Sequence, residues 1–134
     1  MQKSFSEIVD QIIEQNPRFD REAYQFVKEA LEFTIKQRKR TPGEGNHHVT
    51  AAELLDGFRQ LALKEFGPMA STVLDYWRVR TSEDVGRIVF DLIGAGVFGK
   101  TESDTLDDFR GGLDFEAAFV RPFGPARASS TGKS

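Results

Sequence analysis

The sequence has no cysteine, two histidines, a single tryptophan and no long apolar run. Each shortage removes a class of protein. Without thiols there can be no disulfide framework, no thiolate nucleophile and no cysteine-based zinc site, and such a chain suits a reducing compartment. No stretch approaches the roughly 18–20 apolar residues that a membrane helix needs. The opening MQKSFSEIVDQIIEQ carries Glu7, Asp10 and Glu14 inside its apolar pattern, which a signal-peptide core does not tolerate. Neither sign of charge dominates: 18 basic against 21 acidic residues leave −3, unlike a strongly basic nucleic-acid binder. The expected address is the cytoplasm, with no membrane partner.

Phenylalanine is what the chain has in quantity, 12 residues in 134. It brings large apolar area without a polar handle, so an aromatic core is expected, with some rings free to line a partner groove. The length is that of one ordinary domain. Residues 1–123 read as a single helical domain containing a flexible loop at 41–49. The tail 124–134, without a large apolar residue, reads as disordered.

Apolar residues recur at helical spacing in five segments. The first, 4–15, uses Phe5, Ile8, Val9, Ile12 and Ile13. Ser4 and Glu7 form a capping box, and Asn16-Pro17 ends the run. The second begins after Asp20 and is apolar on two sides, Phe26 and Phe33 widening the stripe of Tyr24, Val27 and Leu31, as a central helix would be. Thr50 and Glu53 cap a third. Gly67-Pro68 ends it and starts a fourth, about 68–77, whose buried face is expected to hold Met69, Ala70, Val73, Leu74 and Trp77. Thr81 and Asp84 cap a fifth, carrying Val85, Ile88, Val89, Leu92 and Ile93. Beyond Gly96 the pattern loosens into single turns anchored by Phe109, Phe115 and Phe119. The fold class is therefore mainly α: a single-domain bundle of about five helices with a small irregular C-terminal subdomain. There is room for one short β-pairing between 78–81 and 97–101.

One motif carries a biochemical suggestion. GAGVFGKT, 94–101, matches the phosphate-loop pattern G-x-x-x-x-G-K-[ST], with Gly94, Gly99, Lys100 and Thr101 in the nucleotide-binding positions. A working phosphate loop follows a buried strand and opens a helix, so that backbone amides converge on the phosphates. Here the preceding SEDVGRIVFDLI has helical spacing, and the following ESDTLDDF is short and acidic. The match is read as a decoy.

Other sets are weaker. His47 and His48 sit in a loop with no obvious third ligand, so no metal is assigned. The acidic residues Glu102, Asp104, Asp107, Asp108, Asp114 and Glu116 lack the alternation of a calcium loop and read as turn starters beside aromatic anchors. The basic run Lys36, Arg38, Lys39 and Arg40, with Arg78 and Arg80, offers an alternative nucleic-acid surface of winged-helix type, but also suits a helix C-terminus. No serine–histidine–aspartate set assembles, no cofactor is implied, and catalysis is disfavoured.

The blocks NPRFDREAYQFVKEALEFT, EFGPMASTVLDYW, VGRIVFDLIGAG and DDFRGGLDFEAAF, in that order, resemble an uncharacterised family of small, cysteine-free, mostly helical bacterial proteins. The resemblance covers about residues 5–123 and implies a bacterial cytoplasmic setting. It implies no particular activity, cofactor or catalytic residue. The expectation is a non-enzymatic protein-interaction module binding another protein or itself, with Phe109, Phe115, Phe119 and Phe123 as the partner contacts.

Overall fold

A computed structural model describes residues 4–39, 49–97 and 106–123. Residues 41–48 of the expected 41–49 loop, with the histidine pair, residues 98–105 and the tail lie outside them. Helices follow in the order α1 (Phe5–Gln15), α2 (Arg21–Lys39), α3 (Ala51–Phe66), α4 (Ala70–Tyr76), α5 (Ser82–Gly94) and α6 (Leu106–Phe109). A 3₁₀ turn, Gly67–Met69, leads into α4. The described residues close with a π-helical turn, Glu116–Val120, and a second 3₁₀ turn, Arg121–Phe123. No strand occurs among the described residues.

The helix starts are set by local chemistry. Ser4, Thr50 and Thr81 each accept a hydrogen bond from the backbone three residues on, and Glu7, Glu53 and Asp84 reach back to the capping residue's own N–H. Each box satisfies two donors that a helix leaves orphaned. All three were expected from the sequence.

Helix α2 is the centre of the bundle and packs against α1, α3 and α5. Ala23, Tyr24, Phe26, Val27 and Ala30 are buried along it, as its two-sided apolar pattern predicts. Its most extensive packing is on α3. There Gly57 faces Thr34 and the Ala30 carbonyl, and a β-carbon at Gly57 would collide with the Thr34 hydroxyl. That hydroxyl is itself engaged, donating to the Ala30 carbonyl at 2.7 Å.

The aromatic residues do form a core. Phe26 packs on Phe58, Phe66 and Trp77, and Phe58 continues to Phe115 and Phe119, with ring centroids 5.3–6.5 Å apart. Phe109 is seated over Gly86 of α5, where an added β-carbon would meet its ring at 2.7–2.8 Å. Ser82 at the start of α5 donates to the Phe109 carbonyl, fixing the end of α6. The C-terminal segment thus joins the same core as the helices, packed on α3, α4 and α5.

Two details differ from the sequence reading. Residues 78–81, a candidate edge strand, instead form back-to-back caps. Arg78 N–H bonds the Asp75 carbonyl and Val79 N–H bonds the Leu74 carbonyl, each at 2.9 Å, closing α4. Thr81 then opens α5. Arg78 occupies the left-handed position of this cap, φ 69°, where glycine is usual. The second difference is Met69, expected inside and found exposed: it ends the 3₁₀ turn, whose tighter winding shifts the phase of side chains entering α4.

Candidate functional site

The phosphate-loop reading fails on backbone geometry. The residues entering Gly94 are the last turns of α5, with Ile88, Val89 and Leu92 buried. Gly96, at φ 83°, closes the helix by donating to the Ile93 carbonyl at 3.0 Å, and Val97 donates to Leu92 at 2.9 Å. The Gly96 and Val97 amides that a nucleotide would need are turned back into the helix. The helix also presents its negative end here, the wrong pole for a phosphate. Gly99, Lys100 and Thr101 lie outside the described residues.

The basic residues do not converge. Lys36 is exposed near the C-terminal end of α2; Arg38 and Lys39 are in its last turn, and Arg40 lies outside the described residues. Arg78 and Arg80 sit at the opposite end of that helix, because the Asp20 N–H, just before α2, bonds the Trp77 carbonyl at 3.3 Å. The 19 residues of α2 span about 28 Å at 1.5 Å per residue. Arg80 is moreover paired with Asp75 at 2.7 Å. The extended link that a winged-helix arrangement would have needed is the double cap.

Of the four candidate partner-binding rings, the structure brings three into the core. Phe109 and Phe119 are buried and Phe115 is half-buried against Phe58. They are removed as simple surface contacts, since ten of the eleven phenylalanines among the described residues lie in the core or pack against it. Phe123 remains exposed. Asp114 behaves as the turn starter expected of it, accepting from the Glu116 and Ala117 amides at 3.0 and 3.2 Å. Among the described residues no group of three or more histidine or acidic side chains is placed to hold a metal.

Around Phe123 a surface feature emerges that sequence reasoning missed. The exposed large apolar side chains among the described residues are Met69, Tyr76, Val120 and Phe123, between 45% and 76% exposed. Two belong to α4 and the turn leading into it, and two to the C-terminal turns. α4 and the π-helical turn pack together and border a groove of about 560 Å³, of which Val120 is a lining residue while Met69, Tyr76 and Phe123 stand outside the lining. Leu74, Val79, Phe115 and Val120 give it apolar walls; Asp75 and Arg80 stand at its rim as an ion pair, and so does Glu116, which makes no ion pair among the described residues. The π-helical turn that carries Glu116 and Val120 is a rare conformation, frequent at functional sites. Met69 gave no warning of this, because it lies in the 3₁₀ turn before α4 and read as part of that helix's buried face.

No family model, curated protein or solved structure matches this chain. Its chemistry has to be read from the molecule itself.

The other missed feature is a polar pair, Tyr24 buried and Asp91 half-buried. The Tyr24 hydroxyl on α2 donates to Asp91 Oδ2 on α5 at 2.9 Å. Burial raises the Tyr24 pKa, and the neighbouring Asp91 charge raises it further, so the phenol holds its proton and serves as a donor. Burial also raises Asp91, opposed by the Tyr24 hydrogen bond and the charges of Arg18 and Arg87. The sequence signal was an acid inside the apolar run IVFDLI; its partner, 67 residues away, was not readable.

Proposed function

We propose that the chain is a non-enzymatic protein-interaction module of a bacterial cytoplasm, and that it receives its partner in the groove between α4 and the C-terminal turns. The observation that carries this reading is the groove itself, with Leu74, Val79, Phe115 and Val120 in its lining and the exposed Met69, Tyr76 and Phe123 on the same or adjoining segments. Exposed apolar side chains beside an apolar groove mark interaction sites in otherwise polar molecules. The occupant is an amphipathic helical segment of another protein. Apolar residues at i, i+3 or i+4 meet the walls, and a lysine or arginine meets Glu116, whose carboxylate leaves the rim acidic once Asp75 and Arg80 have neutralised one another.

The test is selection from a displayed library of random helical peptides. Enriched peptides are expected to combine spaced apolar residues with a basic one, and to lose at least about tenfold in affinity against Val120→Asp. Enrichment that is equal on the wild type and Val120→Asp overturns the proposal. So does concentration-dependent self-association through this face, which would make a second copy the occupant.

A further inference from the structure

A second cleft, remote in chemistry from the interaction groove, lies between α1 and α5 and has a volume of about 430 Å³. That is within the range of small-molecule sites. Ile8, Ile12 and Phe90 supply its apolar walls. Gln11, Gln15 and Asn16 add neutral amides along the α1 side. Asp91 is the one ionisable residue in the lining, and no lysine or arginine shares it.

Three independent features make this cleft attract positive charge. First, Asp91 has spare accepting capacity. Tyr24 occupies Oδ2, whereas Oδ1 has no hydrogen bond among the described residues, and a carboxylate offers about four lone-pair sites. Second, the cleft is lined by the C-terminal turns of two helices, Gln11–Asn16 from α1 and Phe90–Ala95 from α5. Both ends carry the negative pole of the helix dipole. Third, neither last turn contains the basic residue that commonly offsets that pole. The flanking cations, Arg18 and Arg87, favour the ionised form of Asp91 but do not line the cleft.

We infer that this cleft binds a small organic amine, its ammonium group on Asp91 Oδ1 and its hydrocarbon body against Ile8, Ile12 and Phe90. Tyr24 has a positioning role, fixing the carboxylate from behind through Oδ2 so that the other oxygen is presented. The walls exclude a bare metal ion as the natural occupant: one carboxylate and three neutral amides are too few hard oxygen ligands for calcium or magnesium, whereas an ammonium needs only two or three acceptors. An anionic ligand would meet the wrong field from both helix ends.

The experiment is an amide chemical-shift titration of the full chain with benzylammonium, with benzyl alcohol as the neutral analogue. Saturable shifts are expected at Gln15, Asp91 and Ala95, and benzyl alcohol is expected to bind at least about tenfold more weakly. Asp91→Asn, which keeps an oxygen for Tyr24, is expected to weaken benzylammonium at least about tenfold. Gly94→Leu is the second variant: Gly94 lines the cleft and a β-carbon there meets nothing within 4 Å, so the side chain enters open space and is expected to abolish binding with the fold intact. Equal affinity for the alcohol, undiminished binding to Asp91→Asn or Gly94→Leu, or no saturable shift in the wild type overturns the inference. Dispersion of each variant's own spectrum reports that it is folded.

Discussion

At the scale of single residues, Asp91 is a position where the fold carries an electrostatic cost. Its surroundings raise its affinity for a proton above that of the unfolded chain. The folded state therefore loses stability as pH rises through the elevated folded value. The cost vanishes as pH falls below the ordinary aspartate value of about 3.9, where both states are protonated. The facing groups are Tyr24, Arg18 and Arg87, and none of them reverses the net direction. Asp91→Asn keeps the acceptor for Tyr24 and removes the charge. It is expected to raise the urea midpoint at pH 7, and the gain is expected to close by about pH 3.5, below that ordinary value. A gain independent of pH would assign the effect to packing. Such a cost at Asp91 accords with the ligand-holding role inferred for it above.

At the scale of elements, the sequence was most legible where one short-range interaction decides the outcome. Ser4–Glu7, Thr50–Glu53 and Thr81–Asp84 announce three helix starts because each box is closed within four residues. Gly96 announced the end of α5, and with it the failure of GAGVFGKT as a phosphate cradle. The end of α4 was expected near Trp77, where it falls, but the cap that closes it was hidden because Arg78 stands where glycine is the usual sign. Its left-handed backbone strains an ordinary side chain, yet the two bonds to Asp75 and Leu74 hold it there, with Val79 and Leu74 both buried beneath. Arg78→Gly is expected to relieve that strain and raise stability by about 0.5–1 kcal/mol, the remainder of the steric gain being offset by glycine's greater freedom when unfolded. For a domain of this size the melting temperature should rise by about 3 °C. A fall would mean that the Arg78 side chain contributes more than its backbone costs.

At the scale of the whole molecule, stability and recognition diverge between adjacent positions of one turn. Phe119 points into the core against Phe58 and Phe115, while Val120 is exposed beside the groove. Composition could indicate an abundance of phenylalanine but not which rings the bundle would consume. That depends on Gly86 leaving room for Phe109, and on Phe115 and Phe119 stacking across α3, contacts remote in sequence. The two roles can be separated by mutation. Phe119→Ala leaves a cavity in the core and is expected to cost about 3–5 kcal/mol, losing partner affinity along with the fold. Val120→Asp alters only exposed surface and is expected to shift stability by no more than about 0.5 kcal/mol. It should nevertheless abolish peptide capture, because it places a second unpaired acid beside Glu116 on the wall that meets apolar side chains. Paired denaturation and binding curves for the two variants decide whether the C-terminal turns act as a clamp on the core, as a docking surface, or as both. A Val120→Asp chain as unstable as Phe119→Ala would show that the turn's outward face is structural, and the interaction surface would have to be sought away from α4.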